Sequence, residues 1–308
     1  MSTLFVSHPS SLLHDMGPDH PERPDRIRAI ERILENERFQ TLLREQAPYG
    51  ERAAILRAHP EAYVAALERA APREGLVQLD GDTAMSPATI DAAMHGIGGA
   101  CMAVEEVMTG RVSNAFVAMR PPGHHAERAT PMGFCFFNNA AVAARHAQKT
   151  FGAERVAIMD FDVHHGNGTQ DIFWADETVM YASTHEMPAY PGTGAVGERG
   201  EHDNIVNAPL LAGADSDMFR EAMEIAILPR IEAFSPDLVI ISAGFDAHRL
   251  DPLANLKLVE ADFAWATRKL MEIADRKAKG RLVSLLEGGY SLEGLSRSAA
   301  AHVMTLMG

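Results

Sequence analysis

Apolar residues occur mainly in short, continuous runs along the chain, and longer segments with helical periodicity lie between these runs. Continuous apolar runs are typical of parallel strands that helices cover on both faces. The strand-like runs lie at 3–7, 115–119, 155–159, 178–183, 238–242 and 282–286. The helical patterns lie at 24–37, 60–70, 86–110, 138–150, 216–234 and 257–278. This alternation predicts an α/β fold in which helices sandwich a parallel sheet.

Two of the helical segments carry local signals for how they begin or bend. In the segment 86–110, Ser86 is predicted to be the N-cap residue and the proline after it to occupy the first helical position. In the segment 216–234, Pro229 lies inside the pattern and predicts a kink. The chain shows no linker and no repeat, so residues 1–308 are expected to form a single domain.

The composition argues against some classes of function. The 28 lysines and arginines are outnumbered by 42 aspartates and glutamates, and the resulting net charge of −14 argues against direct nucleic-acid binding. No run approaches the roughly 18 continuous apolar residues that span a membrane, and the N-terminus lacks the basic region of a secretory signal. The two cysteines, Cys101 and Cys135, allow one disulfide at most, so a cytoplasmic location is expected.

Four motifs rich in polar residues come directly after predicted strands. They are RPPGHHA after 115–119, DFDVHHGNG after 155–159, SAGFDAH after 238–242 and LEGGY after 282–286. Ligands of open α/β sheets bind outside the carboxyl ends of the strands. We therefore expect these four loops to converge on one functional site.

Acidic and histidine residues alternate in the segment DFDVHHGNG. Asp160, Asp162 and His164 are spaced by two, and an extended backbone points such residues to one face. Burying them unpaired is costly, and the segment contains no lysine or arginine, so a divalent cation is the favoured partner. A catalytic zinc site uses three protein ligands and one open position. Asp246, at the end of another strand, is the best candidate for a further ligand, and His248 is the second choice.

Other motifs supply the remaining groups that a hydrolase needs. His124 and His125 follow a rigid Pro-Pro-Gly segment and are suited to act as bases that Asp160 or Asn167 orients. Tyr290 follows a Gly-Gly pair and is suited to donate a hydrogen bond to a developing oxyanion. Taken singly, a loop histidine is often a solvent-exposed bystander, and a tyrosine at a strand end is often structural. Together, these groups predict metal-assisted hydrolysis of an acyl bond.

These motifs resemble those of the histone deacetylase / acetylpolyamine amidohydrolase / acetoin-utilisation superfamily. The resemblance is carried by HPERPDRI, RPPGHHA, GFCFFNNAAVAA, DFDVHHGNGTQDIF, YPGTG, SAGFDAHRLDPL and LEGGY, which together extend over nearly the whole chain. The GNG and GFDAH segments are similar to the class II branch and its bacterial relatives. The resemblance implies a single three-layer αβα domain with an arginase-like fold and a sheet of about eight mainly parallel strands.

The resemblance also implies a role for each polar residue of the site. The implied ligands of one catalytic zinc ion are Asp162, His164 and Asp246. Asp160 then orients His124 and does not bind the metal, which revises the ligand set suggested by the spacing. Asn167 supports His125 at a position where another branch of the family has aspartate. Because a neutral partner supports an imidazolium less strongly, the sequence leaves open which histidine is the base.

Further positions match the substrate and cation sites of the family. Tyr290 matches its oxyanion-stabilising tyrosine. The residues expected at the substrate tunnel, its mouth or the internal acetate pocket are Arg26, Gly133, Phe134, Tyr190, Leu253 and Gly288. Structural potassium is implied at oxygens, mostly main-chain, of Asp160, Asp162, His164, Ser183 and Thr184. A second potassium ion is implied near Phe173 and Val179.

The implied activity is the zinc-dependent removal of acetyl or other acyl groups from lysine-like amides. Polyamine-selecting relatives have an acid at the position of Leu253, so this apolar residue favours acetyl-lysine over acetylpolyamines. Asp82 and Glu186 are the candidates for a charge at the rim from other loops. Hydrolysis of acetylpolyamines or of another small amide or ester is the alternative, and a non-catalytic acyl-lysine binding module is less favoured. A manganese ureohydrolase would require the pattern DxHxD, which DVHHG lacks. The sequence leaves the oligomeric state open, including a homo-oligomer.

Overall fold

The protein is described by a computed structural model that covers residues 2–308. The strands are β1 (Thr3–Ser7), β2 (Leu43–Gln46), β3 (Val77–Gln78), β4 (Ala84–Met85), β5 (Asn114–Val117), β6 (Val156–Asp160), β7 (Val179–Glu186), β8 (Ile205–Leu210), β9 (Leu238–Ala243) and β10 (Leu282–Leu286). Eight of them form one sheet in the order β2-β1-β5-β10-β9-β6-β7-β8, and every neighbouring pair is parallel. Strands β3 and β4 form a separate antiparallel hairpin.

Helices cover both faces of the sheet. They are α1 (Asp25–Leu34), α2 (Arg52–Ile55), α3 (Glu61–Ala70), α4 (Thr89–Met108), α5 (Asn139–Phe151), α6 (Asn167–Phe173), α7 (Ser216–Ala222), α8 (Leu228–Phe234), α9 (Glu260–Lys277) and α10 (Leu292–Met307). Short 3₁₀ turns lie at Pro9–Leu12 and Glu37–Phe39, and a π-helical turn lies at Met223–Ile227. The predicted three-layer α/β architecture with an eight-stranded parallel sheet is confirmed.

The continuous apolar runs arise because each inner strand contributes side chains to two hydrophobic cores, one on each face of the sheet. In β6, Ala157 and Met159 pack into the core beneath α1, α9 and α10. Val156 and Ile158 point the other way, into the core beneath α4 and α5. Successive side chains of a strand alternate between faces, so burial of both faces favours apolar residues at consecutive positions.

The pattern of apolar residues predicts the six inner and neighbouring strands of the sheet but not its two edges. Strand β2 has four exposed residues and therefore carries no apolar run. Strand β8 includes Asn207 and Pro209, and proline is tolerated in sheets mainly at edges. Both strands add hydrogen bonds to the sheet without the sequence signature of a strand buried on both faces.

Two local predictions for helices need correction or refinement. The prediction that Ser86 is an N-cap is wrong, because α4 begins at Thr89 and the hydroxyl of Thr89 accepts a hydrogen bond from the Ser86 N–H at 2.8 Å. The predicted break at Pro229 is present, but as the π-helical turn Met223–Ile227 ahead of α8, in whose first turn the proline lies. Proline is tolerated in the first turn, because the backbone N–H that it lacks would have no partner within the helix there.

The sheet order brings the four polar motifs together. Strands β5, β10, β9 and β6 are consecutive neighbours, so the loops after them leave the same edge side by side. Each of these loops begins with a polar motif singled out from the sequence. Within residues 2–308, no helix is long and apolar enough to cross a membrane.

Candidate active site

Two aspartates and a histidine form a compact cluster at this edge. Asp162 and His164 lie in the loop after β6, Asp246 lies in the loop after β9, and one ligand atom from each falls within 4.8 Å of the others. The Nδ1 atom of His164 lies 3.2 Å from Asp162 Oδ1 and 3.2 Å from Asp246 Oδ2. The Val163 N–H donates to Asp246 Oδ1 at 2.9 Å, which ties the two loops together. Three of the candidate ligands predicted from the sequence are therefore close enough to bind one metal ion.

Two glycines allow the backbone to approach this cluster closely. A Cβ atom on Gly244 would lie 2.1 Å from Asp162 Oδ2, and one on Gly288 would lie 2.2 Å from Asp246 Oδ2. The Gly288 N–H also donates to Asp162 Oδ2 at 2.8 Å. Any larger residue at either position would displace a carboxylate, so the glycines in SAGFD and LEGGY are required by close packing.

The cluster carries more negative charge than the protein neutralises there. Asp162 and Asp246 are buried, and among residues 2–308 their only ion-pair partners are histidines. Burial and the neighbouring Asp162 carboxylate raise the pKa of Asp246 to about 7. Buried carboxylates of this kind need a cation, and two carboxylates with one imidazole are a donor set that suits zinc. The residues present fit a catalytic metal.

His124 is paired with a buried carboxylate. Its Nδ1 lies 2.9 Å from Asp160 Oδ2, and its Nε2 lies 3.8 Å from Asp162 Oδ2. The Tyr181 hydroxyl donates to Asp160 Oδ2 at 3.0 Å, and the Asp162 N–H donates to Asp160 Oδ1 at 3.1 Å. Asp160 therefore points at His124 and lies outside the metal cluster, so the ligand role suggested by spacing alone is wrong. Strand β6 ends at Asp160, and the alternation of side chains ends with it.

The Asp160 pair favours the charged form of His124. Burial alone would lower the pKa of His124, but the carboxylates of Asp160 and Asp162 outweigh it and raise the pKa to about 10. A histidine in this environment holds a proton at neutral pH and is ready to donate it.

His125 has a different partner and a different charge. Its Nδ1 lies 2.8 Å from Asn167 Oδ1, at the start of α6. Burial, together with the neighbouring rings of His124 and His164, holds the pKa of His125 well below its usual range. A Cβ on Gly133 would lie 2.5 Å from the His125 ring, so this glycine permits the contact. His125 is therefore neutral at the pH where His124 is charged.

A buried glutamate holds the histidine loop in place. The Oε2 atom of Glu287 accepts hydrogen bonds from the Gly123 N–H at 2.7 Å and the His124 N–H at 3.1 Å. The Ser242 hydroxyl donates to its Oε1 at 3.2 Å, and burial raises the pKa of Glu287 to about 7. The sequence predicts no role for Glu287, although it lies in the LEGGY motif. Its signal in the sequence is an acid directly after an apolar strand.

Tyr290 lies beside a buried arginine. The Arg26 guanidinium is 5.0 Å from the centre of the Tyr290 ring, and the Phe134 ring is 5.8 Å away. Burial raises the pKa of the Tyr290 phenol well above its usual range, so the hydroxyl keeps its proton. Asp251 Oδ2 accepts the Tyr290 N–H at 2.7 Å and fixes the backbone of this segment. Asp251 is a second residue whose role the sequence does not predict.

Arg26 is fully buried and belongs to an internal polar network. Its Nε donates to the Gly289 carbonyl at 2.7 Å, and its guanidinium donates to Glu22 Oε1 at 2.8 Å. It also donates to the Glu287 carbonyl. Arg26 therefore lies behind the LEGGY segment, on the inner side of the site.

Two aromatic side chains stand at the outer side of the site. Gly133 and Phe134 both have positive φ, at 54° and 69°, and a phenylalanine in this region is strained. The Phe134 N–H donates to the Thr83 hydroxyl at 3.0 Å, which holds this strained turn. The Tyr190 ring is 40% exposed, and its centre lies 5.1 Å from that of the His125 ring. Phe134 and Tyr190 thus border the approach to the histidines.

The candidate rim residues differ in their availability. Leu253 is 42% exposed and its N–H donates to Asp251 Oδ1 at 3.0 Å, which links it to the Tyr290 segment. Glu186 is buried, and both of its oxygens accept hydrogen bonds from Asn255, at 2.7 and 2.8 Å. Its proposed role as a free charge at the rim is therefore wrong. Asp82 is half-buried beside the Phe134 turn, and burial raises the pKa of Asp82.

Other predicted residues lie outside the cluster. His248 faces Glu260, with 3.8 Å between His248 Nε2 and the carboxylate, so it is not placed as a ligand. Strands β6 and β7 pair Asp160 with Ser183, which brings the residues of the first implied potassium site together. The carbonyl oxygens of Phe173, Asp176 and Val179 accept hydrogen bonds from Asn204 Nδ2 at 2.8, 3.1 and 3.0 Å. The carbonyls of Phe173 and Val179, near which the second potassium ion is implied, therefore converge around the Asn204 amide.

Comparison with known proteins agrees with this arrangement. The family model for the histone deacetylase domain matches residues 20–306. A probable deacetylase of Archaeoglobus fulgidus is 39% identical over 303 residues, which is 96% of this chain and 83% of that protein. The histone deacetylase-like amidohydrolase of Pseudomonas aeruginosa is 39% identical over 280 residues, which is 88% of this chain and 73% of that protein. The crystal structure of the HDA15 HD domain superposes with a TM-score of 0.93 at 38% identity, covering 99% of this chain and 88% of that one. The chain therefore belongs to the histone deacetylase family.

Proposed function

We propose that this protein is a zinc-dependent deacetylase that hydrolyses acyl-lysine-like amides. The observation that carries the proposal is geometric: His124, bonded to Asp160, and His125, bonded to Asn167, lie beside one cluster of Asp162, His164 and Asp246. A bound zinc ion would polarise the amide carbonyl and make a water molecule more acidic. Acid, base and ligands then lie together at one edge of the sheet, as hydrolysis of an unactivated amide requires.

The two histidines divide the proton transfers between them. His125 is neutral, so its Nε2 accepts a proton from the attacking water. His124 is protonated, so its Nε2 donates a proton to the nitrogen of the departing amine. The protonated hydroxyl of Tyr290 donates a hydrogen bond to the carbonyl oxygen as negative charge develops there. This assignment makes His125 the general base and His124 the general acid.

The rim favours a lysine-like substrate over a free polyamine. Phe134 and Tyr190 border the approach and suit an aliphatic chain between them. Leu253 offers no charge to a distal ammonium group, and Glu186 is engaged by Asn255. Asp82, half-buried beside the Phe134 turn, is the rim carboxylate that would instead favour a polyamine.

The proposal includes one or two potassium ions and a cytoplasmic location. The first ion would be held by oxygens, mostly main-chain, of Asp160, Asp162, His164, Ser183 and Thr184. A second ion would lie near Phe173 and Val179, because a carbonyl oxygen that accepts from Asn204 keeps a second lone pair for a cation. Both cysteines are free, which suits a reducing compartment.

Metal content and turnover test the chemistry. Zinc-loaded protein should deacetylate an acetyl-lysine peptide, and Asp246→Ala should lose both zinc and activity. Tyr290→Phe should keep its zinc and lose roughly 10²–10³-fold in kcat, the cost of removing one oxyanion donor. Full zinc occupancy in Asp246→Ala, or a normal kcat in Tyr290→Phe, would contradict the assigned roles.

Substrate choice is tested at the rim. We expect a higher kcat/KM for acetyl-lysine peptides than for acetylated putrescine, cadaverine or spermidine, and Leu253→Glu should shift the ratio towards the polyamines. Leu250→Glu is the matched control, since Leu250 is 43% exposed in the same loop. A wild-type preference for acetylpolyamines of about tenfold, roughly 1.4 kcal/mol, would reverse this choice of substrate.

A further inference from the structure

Asn167 supports His125 with a group that is able to bind in two ways. A side-chain amide has an oxygen that accepts and a nitrogen that donates, and the two ends have nearly the same shape. If the oxygen faces His125 Nδ1, that nitrogen carries the proton and Nε2 is free to accept one. If the NH₂ group faces it, the proton moves to Nε2 and the ring no longer serves as a base. The orientation of one amide therefore decides whether His125 is competent.

The surroundings of Asn167 select one orientation. Its Nδ2 donates to Glu127 Oε1 at 2.9 Å and faces Met132 Sδ at 3.2 Å, so both neighbours on that side are acceptors. A carboxylate has no proton to donate and therefore holds the NH₂ end of the amide. The oxygen end is left for His125, at 2.8 Å from Nδ1.

Glu127 is held in position for this contact. It lies two residues after His125, and its N–H donates to the Thr130 carbonyl at 3.0 Å. The next residue, Arg128, donates its N–H to Asp171 Oδ2 at 2.9 Å, which anchors the loop to α6. The same helix carries Asn167 at its start. Acceptor and amide are therefore fixed relative to each other from both sides.

We propose that Glu127 is a positioning residue that sets the tautomer of His125 through the amide of Asn167. The chain Glu127–Asn167–His125 keeps the proton on Nδ1 and leaves Nε2 free. This inference rests on the proposed function, in which His125 is the general base. An aspartate at position 167 would accept at both ends and would need no such partner, so the need for Glu127 follows from the asparagine.

The inference is tested first without measuring turnover. Nitrogen-15 NMR of the histidine side chains in zinc-loaded protein distinguishes the two tautomers, and the signals of His125 are assigned by their loss in His125→Ala. We expect Nδ1–H in the wild type, a mixture in Glu127→Gln and Nε2–H in Glu127→Lys, because lysine only donates. Unchanged Nδ1–H in Glu127→Lys would overturn the inference.

Rescue by a second substitution separates positioning from a merely structural role. Glu127→Lys should lower kcat by about 10²-fold, a large part of the contribution of a general base, with little change in zinc content. Adding Asn167→Asp to Glu127→Lys should restore Nδ1–H and most of kcat, while Asn167→Asp alone places two carboxylates together and should be less active than the double variant. A double variant no more active than Glu127→Lys would refute the inference.

Glu177→Lys makes the same change of charge at an exposed position and should leave both the tautomer and kcat unchanged. If the wild type deacetylates no acyl-lysine substrate but the His125 tautomer still follows residue 127, the proposed function fails and this inference stands. If the protein is active and the His125 tautomer does not change with residue 127, the proposed function stands and this inference fails.

Discussion

The two histidines of the site are neighbours in sequence, but the protein supports them in opposite ways. His124 bonds to the carboxylate of Asp160, which lies deep at the end of β6 and is fully buried. His125 bonds to the amide of Asn167, which leads outward to the half-buried Glu127. Their rings are only 4.0 Å apart between centres, yet the pKa of His124 is raised and that of His125 is lowered.

The difference shows how a site obtains an acid and a base from one residue type. Two adjacent imidazoles with equal partners would repel each other's charge and share one proton poorly. A charged partner for one ring and a neutral partner for the other separates the two protonation states before the substrate binds. The Asn167 amide also separates the negative charge of Glu127 from His125. Glu127 therefore orients the ring with little effect on the charge of His125.

Removal of either ring should have the largest effect. His124→Ala and His125→Ala should each lower kcat/KM by roughly 10²–10⁴-fold, the contribution of a general acid or base. Neither residue belongs to the metal cluster, so zinc content should be unchanged, and circular dichroism should show a folded protein. If one variant kept nearly full activity, that histidine would be a bystander and the comparison between the two would lose its basis.

Asp160→Asn should be the next largest change, because it converts the charged pair into a neutral one. A hydrogen bond to a charged group is worth about 1.5–3 kcal/mol, which corresponds to roughly 10–10²-fold in kcat. The Asp160 carboxylate raises the pKa of His124, so its loss lowers that pKa. Since His124 acts while protonated, the basic limb of kcat/KM should move to lower pH. An unmoved basic limb would show that His124 is not the acid.

Asn167→Ala should cost less than Asp160→Asn. It removes a neutral hydrogen bond worth about 0.5–1.5 kcal/mol, or roughly threefold to tenfold in kcat. The basic limb should stay in place, because the pKa of His124 does not depend on Asn167. A larger loss of kcat than in Asp160→Asn, or a shift of the basic limb, would contradict this comparison. It would show that Asn167 supports its histidine at least as strongly as Asp160 does.

The fold was largely predictable because inner strands lie between two cores. Burial on both faces makes β6 and β9 continuous apolar runs that stand out in the sequence. The edge strands lack this signal, since β2 is exposed along its length and β8 contains a polar residue and a proline. An edge strand is recognised through its hydrogen bonds to a neighbour distant in sequence, and no local pattern records them.

The part of the site that residue types directly after predicted strands indicate could be predicted from the sequence. Asp162, His164 and Asp246 were found because acids and histidines directly after buried strands are unusual. Glu287 and Asp251 were not, because they act on backbone N–H groups far away in sequence. Glu287 binds Gly123, 164 positions earlier, and Asp251 binds Tyr290, 39 positions later. Such contacts produce no characteristic spacing in the sequence, because the donor is a backbone N–H, which any residue except proline supplies.

The smallest expected effect tests whether the Asp160 pair depends on a support of its own. The Tyr181 hydroxyl donates to Asp160 Oδ2 at 3.0 Å and accepts the Gly166 N–H at 2.9 Å. Tyr181→Phe leaves that buried N–H without a partner, so the free energy of unfolding should fall by about 1–3 kcal/mol. One donor to Asp160 is also lost, and kcat should fall about threefold, as for a weak neutral hydrogen bond.

Tyr63→Phe is the matched control for this change. Tyr63 is also buried, and its hydroxyl donates to the Phe136 carbonyl at 2.6 Å without touching Asp160. Its loss should lower the free energy of unfolding by a similar amount and leave kcat unchanged. Because Tyr181 orients the carboxylate that charges His124, only Tyr181→Phe should lower kcat. Equal kcat values in the two variants would show that Tyr181 supports the fold and not the histidine pair.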